Sequence, residues 1–300
     1  MTRRDGFLAL LVVVVWGLNF VVIKLGLAHT PPLMLAAMRF MLVAFPAIFF
    51  VRRPKVPMRL LLGYGLTISF GQFAFLFCAI RFGMPAGLAS LVLQAQAFFT
   101  ILLGTVAFGE RLLPRQTVGI TVAACGVLVL INASLGSGQS ITLLGFALTL
   151  IAAFCWACGN IFNKKIMSRA DRPEIMSLVV WSALIPIIPF WLASLVLEGP
   201  QNIATSLRQL DIPTLLAVAY LAFIATIVGY GLWGALLGRY ETWRVAPLTL
   251  LVPVVGMSSA GILLGETLSA MQIAGAVLIM AGLYINVFGW RWKVMNRRAG

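Results

Sequence analysis

GERLLPRQTVGITVAACG (Gly109–Gly126) returns 156 residues later as GETLSAMQIAGAVLIMAG (Gly265–Gly282). Gly109, Glu110, Leu112, Gln116, Gly119 and Gly126 meet the identical residue in the second copy. Working outward, Trp16, Lys24, Pro46 and Phe50 have partners in Trp156, Lys164, Pro186 and Phe190, each 140 residues on, and Asn19 and Asn160 agree to within one position. The offset lengthens by 16 where the second copy carries the hydrophilic stretch Glu198–Asp211. Self-similarity at a fixed spacing marks duplicated structural units, here 1–137 and 138–300.

Each unit carries five apolar runs of membrane-spanning length, roughly 20 residues. The spacing predicts helices over Gly6–Ala28, Pro31–Val51, Arg59–Ile80, Pro85–Phe108, Gln116–Asn132, Ile141–Phe162, Glu174–Leu197, Ile212–Leu237, Trp243–Leu264 and Ser269–Trp290. Five is odd, so the second unit enters the bilayer from the side opposite the first. Inverted repeats of this kind suit a transporter, because two equivalent halves can exchange conformations about a central site. The predicted class is an all-α integral membrane protein of ten transmembrane helices.

Composition agrees. Of 300 residues, 61% are hydrophobic and 10% charged, with a mean hydropathy of +1.03; a soluble domain has about 25% charged residues. Cytosolic enzymes, secreted domains and disordered tails are excluded. Arg3 and Arg4 precede the first run, but that run is too long for a signal peptide and lacks a small-residue cleavage site. The net charge of +14 is topological. With the N-terminus in the cytoplasm, eighteen of the 22 Lys and Arg fall in inner segments, only Arg81 and Arg208 in outer ones, and Lys24 and Arg39 within spans. That asymmetry predicts both termini inside and makes the bilayer, not nucleic acid, the partner of the basic residues. Four cysteines sit in apolar runs and His29 is the one histidine, so neither a disulfide framework, a metal site nor a cofactor is expected.

The two-copy pattern, with Gly-Glu-x-Leu closing the fourth helix of each half, resembles the EamA branch of the drug/metabolite transporter superfamily. Four longer runs are similar to the bacterial inner-membrane members that export O-acetylserine and cysteine: WGLNFVVIK (Trp16–Lys24), LASLVLQAQAFFT (Leu88–Thr100), WACGNIFNKKIMS (Trp156–Ser168) and RYETWRVAPLTLLVPVVG (Arg239–Gly256). The resemblance implies a small-molecule exporter working by alternating access in the inner membrane. Relatives with aromatic amino acids, other amino acids, drugs or purines as cargo share the same motifs. A polytopic membrane enzyme fits less well, since the chain offers neither an acidic metal motif nor a buried base, and a passive channel has no need of the repeat. Oligomeric state is not encoded in any of these features.

Polar residues inside a bilayer are costly and therefore informative. Arg39 lies about 12 Å into the second span at 1.5 Å per residue. Its planar fork suits a substrate carboxylate; a structural bond to backbone carbonyls is the alternative. Trp16 and Trp156 lie too deep for an interfacial belt. Asn19 and Asn160 follow on the same helix faces, so the two Trp/Asn pairs either meet around a midplane cavity or bond helices together. Gln72, Gln94, Tyr230 and Trp233 complete the candidate lining. Gln94 and Gln96 point about 200° apart, so one at most faces a given cavity. Lys24 and Lys164 sit at helix ends within reach of headgroups. Glu110 and Glu266 read as structural turn acids that favour the N-terminus of the helix following each.

Overall fold

A computed structural model describes residues 1–136, 142–169 and 174–288. Ten helices are long and apolar enough to cross a membrane: α1 (Arg3–Gly26), α2 (Pro32–Phe49), α3 (Met58–Arg81), α4 (Ala86–Phe108), α5 (Pro114–Ala133), α6 (Leu143–Met167), α7 (Ile175–Leu197), α8 (Ile212–Arg239), α9 (Pro247–Leu264) and α10 (Ala270–Phe288). The expected ends at Ile141 and Trp290 fall outside the described residues. The stretch Glu198–Asp211 holds a short surface helix, Pro200–Arg208. The ninth span differs from expectation at its start: Thr242–Val245 is one separate turn, followed by a 3-10 stretch over Ala246–Leu251. Pro247 and Pro253 lie there, and proline removes an amide from the helical ladder.

Interruptions recur at equivalent places in the two units. α2 breaks at Pro46 and α7 at its counterpart Pro186. α3 and α8 each pass through a π-helical segment, Gly65–Gly71 and Tyr220–Val228. π segments inside long helices concentrate at functional sites, and here both lie on helices that carry candidate residues.

The repeat's identical glycines have a packing explanation. α5 and α10 pack against each other along an extensive seam. A Cβ at Gly126 would come within 2.8 Å of the Gly275 carbonyl, and one at Gly119 within 2.7 Å of the Gly282 carbonyl. Small residues let backbones approach this closely, which drives helix association in lipid. Gly109 and Gly265 serve differently: both adopt φ +66° at the C-termini of α4 and α9, a conformation glycine takes without steric cost. By contrast, Gly238 in α8 has no atom within 4 Å of a would-be Cβ, whereas at Gly234 one turn earlier a Cβ would meet Ile175 at 3.1 Å.

Helix starts are capped by local chemistry. Asp211 accepts a hydrogen bond from the Thr214 amide at 2.9 Å, opening α8. Bonds from the Thr214 side chain and amide hold the Asp211 carboxyl below its ordinary range. At α10, Ser269 and Gln272 cap reciprocally: the Ser269 amide donates to Gln272 Oε1 and the Gln272 amide to Ser269 Oγ. The Leu113 amide donates to Gln116 Oε1 at the matching turn before α5. The paired glutamines of the repeat are therefore caps.

Candidate functional site

Arg39 is 3% exposed. Its α2 neighbours are buried apolar residues, and Phe40, Phe73, Phe70 and Phe190 build an aromatic cluster against them. The guanidinium lies 4.1 Å from the Phe73 ring centroid and 5.6 Å from that of Phe40, close enough for cation–π attraction. Nη2 donates to Thr226 Oγ1 at 3.0 Å. Nε and Nη1 are buried and meet no acceptor among the described residues. The alternative of backbone carbonyl bonding is not what the geometry shows. Thr226 belongs to the π segment of α8, where its hydroxyl also donates to the Leu221 carbonyl. Thr226 and Phe73 were absent from the sequence-derived set; the signal for Thr226 was a hydroxyl inside the long apolar run of α8.

The same π segment receives Trp16. Its indole Nε1 donates to the Ala225 carbonyl at 3.0 Å, and the ring packs at 5.3 Å from both Tyr230 and Trp233. Three of the predicted aromatic residues thus form one cluster between α1 and α8, one residue along the chain from the contact that holds Arg39. Among the described residues Asn19 Oδ1 is buried without a donor, as is Oε1 of Gln72, itself 3% exposed at the end of the α3 π segment.

The second unit does not mirror this. Asn160 Nδ2 donates to Gln96 Oε1 at 2.8 Å and to Thr100 Oγ1 at 3.0 Å, tying α6 to α4. Trp156 packs at the margin of the main core. Among the described residues no ring contact joins Trp16 to Trp156 and no hydrogen bond joins Asn19 to Asn160, so the two pairs do not touch directly. Gln94 Nε2 donates to the Thr249 carbonyl of α9 at 3.3 Å, whereas Gln96 serves α6. The two glutamines face different neighbours, as their spacing requires.

Glu266 and Glu110 depart from the expected role. The helices that follow them are capped by Gln272 and Gln116, and each carboxylate instead reaches the other unit. Glu266 accepts from Lys24 Nζ at 2.6 Å and from the amides of Ala86 and Gly87 at 2.9 Å each, at the start of α4. Glu110 pairs with Lys164. The two lysines are consequently ion-pair partners rather than free headgroup anchors.

An apolar groove of about 880 Å³ runs between α9 and α10, lined by residues such as Leu251, Val254, Val277 and Phe288. None of the residues singled out for substrate binding lines it.

The chain matches the model of the EamA-like transporter family twice, over residues 6–132 and 143–288. It is similar to a protein of Salmonella typhimurium named "Probable amino-acid metabolite efflux pump", 73% identical over the full length of both chains. A protein of Escherichia coli K12 with the same name is 72% identical over 98% of each chain. A solved crystal structure shares the fold with a TM-score of 0.63 at 19% identity, covering all of this chain and 99% of its own. With two family matches laid over ten membrane-length helices in two repeats, this chain belongs to the EamA-like transporter family.

Proposed function

We propose that the chain is a secondary exporter of amino-acid metabolites, O-acetylserine and cysteine among them, working by alternating access in the bacterial inner membrane with both termini in the cytoplasm. One observation carries the substrate class. Buried polar groups are nearly always hydrogen-bonded, yet Asn19, Arg39 and Gln72 leave four buried atoms without partners. Two are cationic donors on one guanidinium, and two are amide oxygens, which accept. That set complements a zwitterion: the Arg39 fork takes the carboxylate, and the amide oxygens take the ammonium. A buried guanidinium without a counter-charge is expensive in a bilayer, so a carboxylate solute supplies what Arg39 lacks. Trp16, Tyr230 and Trp233 give the site an apolar wall. Trp156, Asn160 and Gln94 contribute from the second unit and α4 by bracing the helices around it. The names of the two relatives support the cargo class, and the excess of Lys and Arg on one side supports the orientation.

The test is counterflow of labelled O-acetylserine in proteoliposomes. Truncating one member of a desolvated, hydrogen-bonded charge pair costs roughly 2–5 kcal/mol, so Arg39→Gln lowers the rate at least about thirtyfold. Arg39→Lys, which keeps the charge but loses the fork, falls between. Unchanged rates in both variants overturn the carboxylate role.

A further inference from the structure

The two Lys–Glu pairs are a matched set. Lys24 and Lys164 correspond in the repeat, as do Glu266 and Glu110, and each pair joins opposite units at opposite ends of the bundle. Both ion pairs are formed at once, yet the two carboxylates sit in different surroundings. At the Lys24 end the Glu266 side chain is 11% exposed and holds the first two amides of α4. There α4 packs against both α1 and α9. At the Lys164 end the Glu110 side chain is 48% exposed, and among the described residues its hydrogen-bond partner is Lys164 alone. The backbone equivalents of Ala86 and Gly87 are Thr242 and Trp243, 156 residues on. Their turn, Thr242–Val245, lies between the end of α8 and the start of α9.

A carboxylate with three donors is electrostatically satisfied in a low-dielectric setting, and hydrogen bonds to an ionised group are the stronger kind. The ends thus share the ion pair, and among the described residues Glu266 alone adds two amide bonds to it. We propose that Glu266 and Glu110 are alternating latches. The Lys–Glu pairs persist as joints, while Glu266 holds the amides of Ala86 and Gly87 in one conformation and Glu110 holds those of Thr242 and Trp243 in the other. This rests on the alternating-access reading, and it identifies the conformation in hand as closed at the Lys24 end and open at the Lys164 end. With the termini in the cytoplasm, that is the loading state of an exporter.

Spin-label distances test it without any solute, so failure here is separable from failure of the cargo assignment. In a full-length chain with its four cysteines replaced, one label pair at Phe82 and Thr267 reads the Lys24 end. A second pair at the equivalent positions Gly238 and Arg111 reads the other; all four positions are exposed. The unsubstituted latches give a short distance at the first pair and a long one at the second. E266Q shifts the closed-to-open ratio at the Lys24 end about tenfold toward open, the worth of one charge-assisted bond, and raises the short population at the other end. E110Q shifts neither end that way. K24M, which spares the amide bonds, moves the ratio less than E266Q. Should E266Q not assemble, E266D keeps the charge while its shorter reach releases the amides, and it shifts the ratio in the same direction. The proposal is overturned if the Glu266 variants leave both distances unchanged, if E110Q and E266Q shift the ends alike, or if K24M equals E266Q.

Discussion

The α5–α10 seam and the α4–α9 pair are built from residues related by the same repeat, and only the seam obeys it. Across the seam, Gly119 meets Gly282 and Gly126 meets Gly275, so each contact has its mate. At α4 and α9, one end is bound through Glu266 and the other stands apart beside Glu110. A contact that is identical in both units survives when the units exchange conformations; a contact present in only one must break and form elsewhere. Under the proposed alternating access, the seam would be the fixed part and the α4–α9 pair the part that moves. Trp16 and Trp156 extend the contrast, since the first is clamped to the α8 π segment and the second is not.

Five substitutions, at three places, break or sharpen this comparison. The largest effect is expected at the seam. Gly126→Leu and its mate Gly275→Leu each force a side chain into backbone, and overpacking costs about 1–3 kcal/mol. Thermal unfolding in detergent should show similar losses for both; a loss in only one would mean that the seam is not symmetric. Next come the asparagines. Asn160→Ala removes two interhelical bonds, each worth about 0.6 kcal/mol in a bilayer, and lowers the unfolding midpoint. Asn19→Ala removes an oxygen that has no partner, so stability holds while the affinity for an ammonium-bearing solute falls. The smallest effect is at Gly238, where open space accepts a side chain; Gly238→Ala should leave unfolding unchanged to within about 0.5 kcal/mol.

The ten helices and the duplication were legible because membrane-length apolar runs and repeated Gly, Glu and Gln positions survive in one dimension. Trp16, Asn19, Arg39 and Gln72 were legible for the same reason, as polar or amphipathic groups deep in apolar runs. Their partners were not. Thr226 reaches Arg39, and Ala225 reaches Trp16, only because a π segment turns those groups toward α1 and α2, and no periodicity announced it. Glu266 was visible as an acid beside a turn. That it serves α4 rather than α10 depends on how the two units dock, and local sequence near Glu266 points the other way. Of the two roles open to the Trp/Asn pairs, Asn160 bonds helices together, and the sequence could not say so because a repeat fixes which residues correspond, not which partners each one meets.

Competition at the site tests the central claim most directly. In counterflow of labelled O-acetylserine by the unaltered protein, unlabelled amino acid is set against its amide, which lacks the carboxylate, and its deaminated acid, which lacks the ammonium. Competition by the zwitterion alone, with each half-charged analogue weaker by tenfold or more, is the result expected for a site built from the Arg39 fork and the free amide oxygens of Asn19 and Gln72. Equal competition by all three would contradict it.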